Sequence, residues 1–511
     1  MATPRIGIIG AGIGGLVAAL DLAHRGFDVV LFERAASPGG KMREVRVGPY
    51  ALDAGPTVFT LRGLFEDLFA SVDENLEEHI KLRPANVLAR HVWKQGEHLD
   101  LYADPGRTCD AIADFAGERE ARGFLRFAAD ARRTYLALER SFIRAFRPSP
   151  FDLISRIGLT NISQLIDIRP FNDLYAHTGR YFSDPRLRQL FARYATYCGS
   201  SPFHAPATLA LIAHVEQAGV WYVDGGMQRV AERLADLAVA RGAQLRYATP
   251  VASIELCKGR VSAVCLRDGE RVALDALVCN ADAQALAAGT LGLGAMRAAR
   301  RTPAAERSLS AVTWHFLARP RGVPLVRHTV FFSADYRREF DALGRGLAPE
   351  PTVYVCAQDR GDDALADGGA PERIMCLINA PATGDVNGFG AAEIESCEAD
   401  VLAAMRRAGL EFERSADPAV ITTPSDFERL FPGTGGALYG PASRGWRASF
   451  KRPGARSPVP GLYLAGGSAH PGAGVPMAAI SGQLAARAVA MDWASSTRSR
   501  PTATDGGTST R

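Results

Sequence analysis

The sequence predicts an α/β fold in which a dinucleotide-binding domain is assembled from three separated pieces of chain, with a second lobe of sheet and helices inserted between them. Two strand–turn–helix segments at opposite ends of the 511 residues carry this expectation: "RIGIIGAGIGGLVAALDLAHRG" from residue 5 and "LYLAGGSAHPGAGVPMAAISGQLAA" from residue 462. The third observation is what separates them. Helix-period and strand-period stretches alternate over some 450 residues, too long a chain for one simple core.

Bulk composition narrows the class. Apolar residues make up 47% of the chain, and 51 glycines point to many tight turns rather than low complexity. The net charge of +4 is mild for this length and makes no case for a nucleic-acid partner. Eight cysteines are scattered without CxxC spacing or a His/Cys cluster, so reduced thiols and no metal site are expected. "MATPR" runs straight into a strand without a secretory leader, so a cytoplasmic protein is expected. No uncharged apolar stretch reaches the roughly 18 residues of a membrane-spanning helix. Any membrane contact is therefore expected to be peripheral.

The elements follow in order. Arg5–Ile9 reads as a strand, residues 14–24 as a helix stopped by Gly26, and "FDVVLFE" as a second strand, together a βαβ unit. Residues 48–56 look like a strand pair leading into another glycine turn. Between 110 and 147, Phe124, Phe127, Ala131, Tyr135, Leu138, Phe142 and Phe146 recur every three or four residues, which predicts one long helix with arginines over the rest of its surface. "PSPFD" interrupts it, and further helices are expected to about residue 197. Dinucleotide-fold texture returns near Gly225 with a helix over 227–240, a strand and a hairpin. Sheet and helices follow from about 290 to 430. The expected division is 1–105, 206–290 and 456–495 for the nucleotide domain, 106–205 for a helical lobe facing substrate or membrane, 291–455 for the substrate domain, and 496–511 for a disordered polar tail.

Gly10, Gly12 and Gly15 form GxGxxG directly after a strand and at a helix start. The first permits the tight turn, the second lets backbone approach a pyrophosphate, and the third lets helix pack on strand. The anion then meets the positive end of the helix. Eighteen residues beyond Gly15, Glu33 ends the second strand, placed to accept from a ribose hydroxyl. With strand, helix and terminal acid in register, this is a Rossmann-type nucleotide site. "RAASPGGKMR" then supplies Gly39, Gly40, Lys41 and Arg43, and "GPYALDAGPT" supplies Gly55, Pro56 and Thr57. A nicotinamide dinucleotide needs none of these, whereas FAD is long and its flavin end must be held by more backbone. Lys41 and Arg43 either pair with phosphate or lie on the solvated surface.

This extended N-terminal pattern resembles the flavin amine oxidases and carotenoid desaturases. "GLYLAGGSAHPGAG" is similar to the C-terminal flavin-binding element of the bacterial-type phytoene desaturase family. The resemblance implies a flavin amine oxidase-like fold with FAD as cofactor. Gly466 and Gly467 would approach its ribityl and pyrophosphate, and Gly472–Gly474 would start a helix aimed at the pyrimidine edge. Ile13, Gly14, Arg34, Val251, Gly474 and Val475 flank these motifs and complete the expected binding set. A second GxGxxG for NAD(P)H is missing, since "GTLGLG" has the wrong order. A quinone or oxygen is accordingly the expected electron acceptor.

The middle stretch "DPRLRQLFARYATYCGSSPFHAPATLALIAHVEQAGVWYVDGGMQRV" and "LARHVWKQGEHLDLYAD" resemble the 1-hydroxycarotenoid 3,4-desaturase branch more than phytoene desaturase proper. That resemblance implies removal of two hydrogens at C3–C4 of an acyclic 1-hydroxycarotene, in the spheroidene and spirilloxanthin pathways of photosynthetic bacteria. The alternatives are phytoene desaturation and a non-catalytic lipid carrier of the GDP-dissociation-inhibitor type. Asp152 and Arg156 fall where the family has an acid and an arginine, although a capping aspartate and a surface arginine read equally from the residues. His470 either orients flavin or substrate or braces its turn. Each buried methylene is worth about 0.8 kcal/mol, so a long apolar carotenoid should pass directly from lipid to protein. That places the protein peripherally on the inner, photosynthetic membrane, with the arginine-rich helices at 119–147 as the contact or simply as core-facing helices.

Overall fold

The two glycine turns end neighbouring strands of one parallel sheet. The computed structural model describes residues 3–157, 172–361, 370–386 and 388–498. The sheet runs in the order Gln244–Arg246, Asp28–Phe32, Arg5–Ile9, Ala276–Cys279, Leu462–Leu464. Ile8 pairs with Val278, and Val278 in turn with Tyr463, so segments from both chain ends are joined through the middle piece. Apart from the edge strand Gln244–Arg246, these strands are mostly apolar runs closed on both faces, as parallel strands under two covering layers must be.

One covering layer holds helices Ile13–His24, Gln228–Ala240 and Val475–Arg498, which share a core containing Leu16, Leu20, Leu234 and Leu484. The first and last of these helices touch through backbone. A Cβ on Gly482 would lie 2.3 Å from the Gly14 carbonyl oxygen, so only glycine allows this approach. The other layer is a three-stranded antiparallel sheet of Val251–Cys257, Arg260–Leu266 and Arg271–Ala273, packed on Ile9, Val30 and Phe32.

The second lobe is an eight-stranded sheet built around Ser310–Gly322, Glu372–Ala380, Val353–Ala357 and His328–Phe331. Here the expected division needs correcting. Val87–Val92 and His98–Tyr102, placed with the nucleotide domain from sequence, are hydrogen-bonded into this sheet, Val92 opposite Phe331. Their apolar alternation fits either sheet, and only the long-range partner decides.

The sheet has two unlike faces. Val312, Trp314, Phe316, Ile374, Cys376 and Ile378 close against Ile394, Cys397, Val401 and Met405 of helix Ala391–Arg407. Register puts His91, Thr313, His315, His328 and Tyr354 on the opposite face, toward the nucleotide domain.

The single helix expected over 110–147 is broken. Gly117, at φ +94°, separates Pro105–Ala116 from Glu118–Leu138, and a π-turn over Glu139–Ile143 ends the second piece. The aromatic stripe behaves as its spacing requires: Phe124, Phe127, Ala131, Tyr135 and Phe142 are buried. The C-terminal helix continues to Arg498, past the expected boundary at 495; residues 499–511 lie outside the described residues.

If the Gly14–Gly482 crossing holds the chain ends together, Gly482→Val will force the two helices apart. The expected cost is about 1–3 kcal/mol of stability, read as a lower midpoint in thermal unfolding. An unchanged midpoint would show that the helices do not need this contact.

Candidate cofactor and active site

The site lies where the strands Arg5–Ile9 and Ala276–Cys279 end side by side, the crevice in which open α/β sheets hold ligands. Gly10 turns the chain at φ +95°. A Cβ on Gly15 would sit 2.0 Å from the Gly10 carbonyl oxygen, so the third glycine is needed for helix–strand packing. The first helix has Gly12 at its N-cap and no side-chain cap. Its leading N–H groups are therefore left for an anion.

Glu33 is buried and accepts from Ala11 N–H (2.6 Å) and Ala35 N–H (2.8 Å). This fixes the carboxylate beside the glycine turn, with lone pairs left over for a ribose hydroxyl. Arg34 is exposed, and partly buried Val251 begins a strand just beyond Thr249, whose N–H donates to the Glu33 carbonyl. These residues mark the end of the cradle at which an adenosine would lie.

A residue that the motifs did not reveal sits between the cradles. Asn280 follows the strand Ala276–Cys279, and its Nδ2 donates to the Gly10 carbonyl (3.3 Å). Cβ atoms added at Gly12, Gly14 and Gly466 would each come within 2.8 Å of its side-chain amide. The glycines of both turns are therefore matched to one amide as well as to a ligand. "LVCNAD" offered a signal, a polar residue at the carboxyl end of a buried strand.

The structure uses several expected binding residues differently. Gly466 N–H donates to Ser481 Oγ (2.7 Å), and the Gly467 carbonyl accepts from Arg452 Nη1 (2.8 Å), so these two groups brace the turn itself. Arg452 is buried, and Tyr439 and Pro441 carbonyls take its other donors. Lys41 donates to the Leu438 carbonyl (2.5 Å); Arg43 donates to Thr422 Oγ1 (3.0 Å) and lies over the Phe427 ring. Neither lies on the solvated surface, one of the two readings from sequence, because segment 422–438 of the second lobe covers both. Burial lowers the Lys41 ammonium pKa, with Asp282 opposing and Arg452 adding to the shift. Two deep cations thus lie near the C-terminal cradle, where negative charge is favoured. Gly474, at φ +112°, and Val475 start the last helix there, and Ile13 and Gly40 close against the first turn.

The loop carrying Gly55, Pro56 and Thr57 is pinned at its base. Asp53 accepts from Met227 N–H (2.9 Å), and its carbonyl and N–H both bond the Gln358 side chain of the large sheet. Burial pushes the Asp53 carboxyl up to about 6. A Cβ on Gly55 would meet the Lys41 carbonyl oxygen at 1.9 Å, so the loop lies tight against the first glycine segment. Thr57 Oγ1 is 2.8 Å from the Tyr354 hydroxyl on the polar face of the large sheet.

The proposed catalytic residues separate. His470 is buried, and its Nε2 is 3.0 Å from both the Phe142 and Ala145 carbonyls, which assigns the proton to Nε2. It therefore braces the C-terminal turn against the helical lobe; Nδ1 has no partner among the described residues. Asp152 is exposed at the start of Pro150–Ile157 and accepts from Ser149 N–H (2.9 Å), the capping arrangement. The Arg156 side chain lies outside the described residues.

An uncapped helix N-terminus, a ribose-directed carboxylate and a second glycine turn on the same sheet fit FAD and define an FAD-dependent oxidoreductase. The chain belongs to the flavin containing amine oxidoreductase family, whose model matches residues 13–490. It is 50% identical over its whole length to the hydroxyneurosporene desaturase of Rubrivivax gelatinosus, covering 97% of that protein. It is 44% identical to the hydroxyneurosporene desaturase of Cereibacter sphaeroides over 97% of this chain and 99% of the other. Among solved structures, a putrescine oxidase bound to putrescine superposes with a TM-score of 0.58 at 15% identity, over 96% of this chain and 99% of that one, which shows the shared fold.

Two outcomes follow. Asn280→Leu removes the donor to Gly10 and crowds both glycine turns. The purified variant is expected to lose most of its FAD, seen in the ratio of flavin to protein absorbance; full occupancy would remove Asn280 from the cradle. The second concerns pH. Burial pushes the His470 imidazole down to about 4 from an ordinary value of 6.5. Between those values the unfolded chain binds a proton that the folded chain refuses, so stability falls as pH drops through the window and levels off below it. His470→Gln keeps a donor for the two carbonyls but not the titration. Its denaturant stability should therefore decline less between pH 6.5 and 4 than the wild type's.

Proposed function

We propose that this FAD-dependent carotenoid desaturase introduces the C3–C4 double bond into an acyclic 1-hydroxycarotenoid, the 1-hydroxyneurosporene to demethylspheroidene type of reaction. The observation that carries the reading is two cradles for one long flavin nucleotide in a chain that matches hydroxyneurosporene desaturases along its whole length. When bound, the flavin supplies an acceptor for a hydride equivalent. One hydrogen leaves the substrate with its electron pair and the neighbouring one as a proton, so the new double bond balances a two-electron reduction. A quinone or oxygen then takes those electrons.

The protein's own part is placement and exclusion of water. Lys41, Arg452 and the start of the last helix favour negative charge at the redox end of the cofactor. His470 holds the turn, and Asp152 keeps to its helix cap.

Delivery of so apolar a substrate favours a lipid surface. Among the described residues no helix is long and apolar enough to cross a membrane. The outer side of the helical lobe combines exposed apolar side chains with arginines. Phe151 is 83% exposed, and Leu125 (49%) and Leu136 (52%) stand on the same helix as Arg119, Arg122, Arg126, Arg132 and Arg133. This mixture suits a peripheral contact with anionic lipid.

Two measurements test the reading. Cells making the protein together with either 1-hydroxyneurosporene or phytoene should convert only the former, with a product showing one more conjugated double bond by chromatography and absorbance. Consumption of phytoene alone would overturn the substrate assignment. In co-sedimentation with anionic liposomes, Phe151→Glu should reduce binding severalfold at unchanged FAD content; equal binding would move the contact elsewhere.

A further inference from the structure

The substrate just proposed is hydrocarbon apart from one oxygen, and a polar string lies between the large sheet and the loop of Gly55 and Pro56. The Thr57 Oγ1 lies 2.8 Å from the Tyr354 hydroxyl, which lies 2.7 Å from His328 Nδ1. All three residues are inside the fold, Thr57 and His328 buried and Tyr354 partly accessible. Polar groups so placed cost stability unless a partner meets them. On the opposite face of the same sheet the equivalent positions are closed by apolar packing.

The hydrogen-bond string has a direction. His328 Nε2 has no hydrogen-bond partner among the described residues. A buried N–H without an acceptor is costlier than a lone pair without a donor, which assigns the proton to Nδ1, donating to the Tyr354 oxygen. The Cys356 thiol also bonds the phenol. As a buried S–H it needs an acceptor, so the phenol oxygen accepts from it and the phenol proton goes to Thr57 Oγ1. Thr57 makes no other hydrogen bond among the described residues, so its own proton is left to be donated outward. Burial, reinforced by Arg327 and Arg193, pushes the His328 imidazole down to about 3, and burial raises the Tyr354 phenol. The string is neutral and ill suited to taking a proton from carbon. A neutral donor suits an alcohol.

Placement matters as much as polarity. Thr57 belongs to the loop of Gly55 and Pro56 pressed against the first glycine segment, and it is therefore beside the cofactor cradle. In a 1-hydroxycarotenoid the oxygen on C1 is only a few bonds from C3 and C4. A group that grips that oxygen must stand next to the ring that receives the hydride, and it would set which bond is oxidised.

We propose that Thr57, oriented by Tyr354 and His328, donates its hydroxyl proton to the C1 oxygen of the substrate and so selects both the hydroxylated end and the C3–C4 bond. This rests on the 1-hydroxycarotenoid reading above. Thr57 is the contact; Tyr354 and His328 are positioning residues.

The test compares kcat/KM for 1-hydroxyneurosporene and 1,2-dihydroneurosporene, the same chain without the oxygen, both delivered in liposomes. The wild type should prefer the alcohol. Thr57→Val and Tyr354→Phe should each cut that preference about tenfold or more, and Thr57→Ser should restore it, while the flavin absorbance spectrum stays unchanged. A preference retained in both variants overturns the proposal. So does a Thr57→Val protein that loses FAD, whatever Tyr354→Phe does, because the string would then serve the flavin. A wild type that oxidises neither compound overturns the substrate reading itself, and this inference with it.

Discussion

The fold depends on the close crossing of its first and last helices. Gly14 and Gly482 let the backbones touch, and the Asn280 amide fills the space left by Gly12, Gly14 and Gly466. A ligand as long as FAD spans more than one βα turn can hold, so a second turn must be fixed against the first to within a hydrogen bond. The chain achieves this by returning its final strand to the same sheet, through the pairing of Ala276–Cys279 with both ends. Side chains of any size at the crossing would separate the two cradles and leave each a weak half-site.

A second constraint is the two-faced large sheet. One face is an ordinary apolar core under a helix. The other meets the nucleotide domain through a few polar bolts: Gln358 on Asp53, Arg373 on the Ala51 carbonyl, Tyr354 on Thr57 and, from the segment beyond, Thr422 on Arg43. Such directional contacts fix the lobes in one arrangement, which continuous apolar packing would specify less sharply. The same face carries His91 and His328, each with at least one ring nitrogen lacking a hydrogen-bond partner among the described residues. Buried polar groups left open are uncommon, and here they share the sheet face that meets the nucleotide domain.

The site was only partly legible in the sequence. The GxGxxG turn, Glu33 and the C-terminal turn were readable because local spacing alone builds a helix start after a strand. Asn280 was not, since its role comes from two turns, one far before it in the chain and one far after. Lys41 and Arg43 read as phosphate partners or surface residues because they follow a glycine pair; the surface reading fails because a segment nearly 400 residues away covers them. His470 offered two readings, and the carbonyls of Phe142 and Ala145 give it the bracing one.

The sequence by itself determined the nucleotide-binding class, the strand–turn–helix units and the aromatic face of the helical lobe, because each depends on periodicity or on residues a few positions apart. Tertiary structure alone decided the sheet to which residues 87–102 belong, the break at Gly117 in context, and the meeting of Thr57, Tyr354 and His328. Strand pairing and side-chain contact across hundreds of residues are set by which buried surfaces fit together. No local pattern of the chain encodes that choice.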